Sequence, residues 1–155
     1  MSLSKNYEQK TNYEGKEWIE NNENLKAILK AIPDLIFIFD AGGVFVDFFT
    51  NDESLLAAPR DKIIGKDISE FFPEKECENF RSLFKLAINT GEIQITEYTM
   101  LLNSRLNYFE SKIVPVNGNK VLTLVRDITL VKRSEMARES THKISEAINS
   151  VHSLK

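Results

Sequence analysis

The feature that most constrains the fold is the stretch Val121-Leu122-Thr123-Leu124-Val125-Arg126-Asp127-Ile128-Thr129, which leads without a linker into a charged run. Its β-branched, apolar character, bounded upstream by Gly118-Asn119, reads as a buried or half-buried strand. Asp127 and Thr129 carry short acceptors of the kind that cap a helix N-terminus. From Leu130 the residues Val131-Lys132-Arg133-Ser134-Glu135 turn helical in character. A strand that ends in an acidic cap and enters a helix with no loop between is a stiff joint. It suits a domain that passes strain onward.

Upstream, Asp34 to Phe49 reads as two strands around Asp40-Ala41-Gly42-Gly43, where the glycines supply positive φ for a tight hairpin. Asp61-Lys62-Ile63-Ile64-Gly65-Lys66 lies between these strands and the next helix. Phe71-Phe72-Pro73 opens a helix, with proline in its first turn and Glu74 and Glu76 at the positive end of the dipole. Cys77, Phe80, Phe84, Ala87 and Ile88 share one face of it, and Asn89-Thr90-Gly91 stops it. Two strands follow, Glu92 to Leu102 and Arg105 to Val116. This order, the Tyr108–Pro115 strand and the Asp-Ile-Thr junction resemble those of PAS domains, sensor modules of signalling proteins, from about Leu25 to Arg133.

The resemblance implies an α+β fold, a PAS-like five-stranded antiparallel sheet with helices on one face, plus N- and C-terminal flanking helices. It divides the chain into a polar tail (1–15), an N-terminal flanking helix (16–32), the PAS domain (33–129) and a C-terminal signalling or coiled-coil helix (130–155). Thr141 to Ser150 also resembles the opening helix of GAF domains, so the last helix is expected to run into a following domain.

Composition agrees. Ten phenylalanines form a large apolar reserve, each contributing about 1.5–3 kcal/mol when fully buried. A net charge of −3 without a basic stripe argues against nucleic acid. The single cysteine excludes an intramolecular disulfide and fits a reducing cytosol. No apolar run approaches a membrane span and no signal peptide is visible. A cytoplasmic domain without direct membrane contact is expected, with any anchor of the parent protein outside this sequence.

Both flanks have apolar stripes. Trp18, Leu25, Ile28, Leu29 and Ile32 recur at helical spacing and end at Pro33. Such a helix either covers its own sheet or pairs with a copy of itself. Leu130, Ala137, Ile144 and Val151 recur every seven residues, with Ile148 and Leu154 between, a pattern that suits a dimeric coiled coil. Polar seam positions at Arg133 or Ser134 and Ser140 or Thr141 weaken it near the domain. The expected partners are therefore a second copy, joined through the flanking helices, and adjacent domains of the parent.

Catalytic chemistry finds little support. His142 lacks the acidic residue and the arginine and proline that follow a kinase phosphoacceptor, and His152 has less context still. Cys77, in Lys75-Glu76-Cys77-Glu78-Asn79-Phe80, departs from the signature of flavin-binding PAS relatives, and its acidic neighbours oppose a thiolate. The central helix offers no histidine to haem. Haem and covalently reacting flavin are thus disfavoured, the cofactor is unassigned, and no residues gather at metal-ligand spacing. A non-catalytic regulatory domain is expected, whatever enzyme the parent carries, a histidine kinase included.

What remains is a pocket, which in PAS domains lies between the concave sheet face and the central helices. Alternation places Leu35, Phe37 and Phe39 on one face and Ile36 and Ile38 on the other. Asp47 marks a polar face, so Val46 and Phe48 are expected inward. Glu110 and Lys112 likewise turn Phe109 and Ile113 inward. With Phe80 and Phe84 these would line a cavity for an apolar, aromatic or acyl ligand; alternatively the aromatics fill the space. Arg81 and Arg105 are the only plausible oxyanion donors. Glu110 is a candidate partner for Arg126. The resemblance assigns Arg126, Asp127 and Thr129 to the signal junction. Two functions stay open: ligand sensing transmitted through that junction, or a ligand-free interaction and dimerisation module relaying signals between neighbouring domains.

Overall fold

The computed structural model describes residues 23–32 and 34–153. The expected polar tail, Trp18, Pro33 and Leu154 lie outside the described residues. Five antiparallel strands, β1 (Leu35–Asp40), β2 (Phe45–Phe49), β3 (Gln94–Leu102), β4 (Arg105–Val116) and β5 (Lys120–Asp127), form one sheet in the order β2-β1-β5-β4-β3. Among the described residues three α-helices accompany it: α1 (Glu23–Ala31), α2 (Glu74–Thr90) and α3 (Thr129–His152). This is the α+β, PAS-like architecture expected from the sequence. No helix among the described residues is long and apolar enough to cross a membrane.

The β1–β2 hairpin forms because Asp40 organises its own turn. Its Oδ1 accepts from the N–H groups of Gly42 (3.0 Å) and Val44 (2.9 Å). Gly43 sits at φ +96°, which favours glycine, and a Cβ there would meet Ile68 Cδ1 at 3.0 Å, so packing leaves a side chain little room. Between β2 and α2 the chain makes three short turns, Glu53–Leu55, Arg60–Lys62 and Ile68–Glu70. Phe45 anchors this segment through its N–H to the Lys66 carbonyl (2.9 Å) and its carbonyl to the Gly65 N–H (2.8 Å). Helix α2 follows Pro73 and closes on left-handed Gly91, whose N–H bonds the Ala87 carbonyl at 2.8 Å.

The core lies between the sheet and α2. Cys77, Phe84, Ala87, Ile113 and Val121 are fully buried there, with Phe39, Phe45, Phe48 and Phe80 close behind. Helix α1 buries Leu29 and leaves Ile28 exposed. Its C-terminal end is held by Asn51, whose amide nitrogen lies 3.1 Å from each of the carbonyls of Leu29, Lys30 and Ile32.

Candidate ligand cavity and output junction

Between the inward sheet face and α2 lies a cavity of about 60 Å³. Register explains its wall. Leu35 pairs with Val125, which pairs with Ser111 on its other side; Phe37 pairs with Thr123, which faces Ile113. Tyr98 pairs with Phe109 across β3 and β4. Because alternate residues share a face, Leu35, Phe37, Phe39, Phe109, Ser111, Thr123, Val125, Tyr98 and Met100 all reach the cavity. Phe80 of α2 closes it from above, and Ile63, Ile68, Phe71 and Phe72 come from the connecting turns.

The rings pack in edge-to-face, tilted and stacked pairs. Phe72 stands against Phe80 (5.3 Å between centroids) and Tyr98 (5.4 Å), and Tyr98 stacks on Phe109 at 5.5 Å. These separations are those of favourable aromatic pairs. Among the described residues that line it, none is charged. Burial pushes the Tyr98 phenol well above its ordinary pKa, so it stays a neutral hydroxyl.

Of the eight residues expected to line a pocket, Phe37, Phe39, Phe80 and Phe109 do so. Phe48, Phe84 and Ile113 are buried in the same core without bordering the space. Val46 does not turn inward. The β1–β2 register runs Phe37↔Phe48, Ile38↔Asp47, Phe39↔Phe45, so a bulge leaves Val46 unmatched and brings Phe45 inward in its place. Phe45 then packs on Phe39 at 4.4 Å. Sequence reading also passed over Ser111 and Thr123. The signal was present: strict alternation puts Ser111 between inward Phe109 and Ile113, and Thr123 between Val121 and Val125. Attention to apolar residues alone skipped them.

Neither candidate anion donor reaches the cavity. Arg81 bonds the Gly42 carbonyl (3.0 Å) and pairs with Asp67 (2.7 Å), while Arg105 starts β4 at an exposed position. The Cys77 thiol is buried, donates to the Phe72 carbonyl at 3.3 Å, and is pushed up in pKa chiefly by burial. That suits a structural cysteine. His142 sits exposed on α3, 3.6 Å from Glu146. Among the described residues no cluster of His, Cys, Asp or Glu could hold a metal.

At the far end of β5 the sheet hands over to α3. The Thr129 N–H donates to Asp127 Oδ1 at 2.8 Å, while Thr129 Oγ1 accepts from the Tyr108 N–H at 3.0 Å. The Tyr108 carbonyl accepts from the Ile128 N–H at 2.9 Å. Tyr108 thus keeps both main-chain bonds although its neighbour strand has just ended. Two further ties follow: Lys132 pairs with Glu97 of β3 at 2.7 Å, and Arg133 donates to the Leu106 carbonyl at 3.2 Å. Arg126 lies opposite Glu110 in the β4–β5 register. Its guanidinium nevertheless forks onto Asp34, Nε to Oδ1 at 3.2 Å and Nη2 to Oδ2 at 3.0 Å. Asp34 is buried and its bidentate geometry fits the fork, which corrects the expected pairing with Glu110.

A family model described as the PAS fold matches residues 29–133. No curated protein matches the chain. Among solved structures, the PAS domain of a protein from Colwellia psychrerythraea is 21% identical with a TM-score of 0.56, over 69% of this chain and 96% of that one. The PAS domain of the RpfR quorum-sensing receptor from Cronobacter turicensis, solved with C12:0, is 18% identical with a TM-score of 0.55, over 63% and 96%. A domain of a sensory box sensor histidine kinase/response regulator from Geobacter sulfurreducens is 22% identical with a TM-score of 0.53, over 66% and 90%.

Proposed function

The chain belongs to the PAS fold family, and from that premise we propose that it is a sensory and relay domain of a larger signalling protein, binding a small apolar ligand and passing the change through Asp127–Thr129 to α3. One observation carries the reading. Strand β5 supplies Thr123 and Val125 to the cavity wall, and two residues later Asp127 holds the first turn of α3. A shift of β5 against a ligand would therefore move the helix start directly. The ligand acts only through unequal affinity for the two positions of that strand. RpfR accommodates C12:0 in a domain of similar fold; the about 60 Å³ here suits a more compact molecule. The domain itself is non-catalytic in this reading, and a sensor kinase is one fitting parent.

The second reading, a relay module acting by dimerisation, is favoured by α3. This helix has 24 residues, a length of about 36 Å, yet only its first turns touch the sheet. Beyond them Ile144, Ile148 and Val151 stand exposed along one stripe. Helix stability in proteins comes mostly from packing an apolar face, and a second copy would cover this stripe. Native against denaturing mass spectrometry of freshly purified protein separates the two. A retained small molecule supports sensing. An empty chain that is dimeric through α3 supports the relay, and an empty monomer at all concentrations counts against both.

A further inference from the structure

Ser111 is the anomaly of the cavity. Its side chain is buried at 1% exposure on the inward face of β4, among Phe109, Ile113 and Val125. No hydrogen bond from any described residue reaches its hydroxyl, although the neighbouring Thr123 hydroxyl bonds the Phe37 carbonyl at 3.4 Å. The Ser111 oxygen is not sealed by its neighbours but opens onto the void. An unmade hydrogen bond in a protein interior is costly, so the group wants a partner from outside the chain. Water serves it poorly. A buried water needs two to four polar partners; among the described lining residues only Ser111, Thr123 and Tyr98 have polar side chains, and Thr123 already donates to the Phe37 carbonyl, which leaves a water at the low end of its need.

We propose that the cavity selects an uncharged, compact, largely apolar molecule whose single hydrogen-bonding group meets the Ser111 hydroxyl, as a small cyclic alcohol or ketone would. This rests on the ligand-sensing reading and gives it a chemical class. An anion is disfavoured because the described residues of the wall hold no charge, Arg81 is committed to Asp67 and Gly42, and Arg105 lies outside. A carboxylate taken from water into such a wall loses its hydration without a counter-charge. A pure hydrocarbon would bury well but leave Ser111 unpartnered.

The test uses three probes of matched size: cyclopentanol, methylcyclopentane and cyclopropanecarboxylate. Each is titrated into the whole chain and into its Ser111→Ala variant, followed by NMR of methyl and amide signals around the cavity. Cyclopentanol is expected to bind the native chain about three- to tenfold tighter than methylcyclopentane, the range of one neutral hydrogen bond. Ser111→Ala should invert that ratio, weakening the alcohol, whose hydroxyl then lacks a partner, and sparing or tightening the hydrocarbon, and the carboxylate should bind weakest. Equal affinities for alcohol and hydrocarbon, or a ratio that survives Ser111→Ala, would overturn the Ser111 contact while leaving a ligand cavity intact. Carboxylate binding as tight as the alcohol would overturn the exclusion of charge. If no probe moves a cavity signal, the sensing reading itself falls.

Discussion

Thr129→Val tests the junction most directly, because valine keeps the shape and β-branching of threonine and removes only the hydroxyl. In the native chain that oxygen is the acceptor for the Tyr108 N–H at 3.0 Å, at the point where β5 has left the sheet. Thr129 is buried and Tyr108 half-buried, so water replaces the lost acceptor incompletely. A donor stranded in this way costs about 1–3 kcal/mol when sealed off, and the partial exposure of Tyr108 points to the lower half of that range. The main-chain bond from Thr129 to Asp127 Oδ1 survives the change, and the helix propensities of threonine and valine are close. The expected loss is therefore about 1–2 kcal/mol, seen as a lower urea midpoint at unchanged slope. Hydrogen exchange should accelerate at the Tyr108 amide and through the first turn of α3 more than in the centre of the sheet. Thr129→Ser keeps the oxygen and should stay near native on both counts. Equal losses for valine and serine, or an unchanged Tyr108 amide in the valine variant, would refute the argument that this hydroxyl ties the sheet to the helix.

Asp127→Ala removes the acceptor of the Thr129 N–H one residue ahead of the Ile128 N-cap and should cost about 0.5–1.5 kcal/mol as a lost hydrogen bond; combined with Thr129→Val the effects should fall short of additive, since both loosen one turn. Asn51→Ala should release α1, with exchange rising across Glu23–Ala31 and little change in the sheet, because the amide is what meets three carbonyls at the helix end. An unaltered α1 would show that its other contacts, Leu29 packing among them, hold it. Arg126→Met strands the Asp34 carboxylate; the guanidinium is itself largely exposed, so about 1 kcal/mol is expected rather than the full cost of a broken buried pair. Adding Asp34→Asn should recover most of it in urea unfolding. Asp67 is held below its ordinary pKa by hydrogen bonds from the Ser69 side chain and main chain, and then by Arg81. A depressed carboxylate stabilises fully above its unfolded value of about 4 and loses that contribution as pH falls through the folded one. Asp67→Asn should therefore lower stability slightly at neutral pH and flatten the acid limb below about pH 4. An unchanged acid limb would mean that other carboxylates set it.

Local pattern made most of the fold legible. Alternation in β1, the Asp40–Gly43 turn, the α2 face of Cys77, Phe80, Phe84 and Ala87 with its Gly91 stop, and the β4 boundaries all stand as read. The Arg126 partner was not legible. Adjacent-strand logic favoured Glu110, whereas Asp34 lies far away in sequence and meets Arg126 only because β1 and β5 are neighbours. Val46 was misplaced for a different reason. Period-two reasoning assumes an unbroken ladder, and the bulge between Ile38 and Phe39 shifts the phase of β2 by one residue.

The sequence by itself determined the order of elements, the direct passage from β5 into α3, and an aromatic supply large enough for a core, because each depends on neighbours within a few residues. Only the tertiary structure decided which aromatics border empty space and which fill it. Phe37, Phe80 and Phe109 surround the cavity while Phe48, Phe84 and Ile113 pack beside it. A cavity is what remains after side chains from five strands and a helix have claimed their volume, and strand register sets that remainder. The same register carries the Ser111 hydroxyl onto the wall of that space, where its chemistry depends on residues that the chain brings from both ends of the domain.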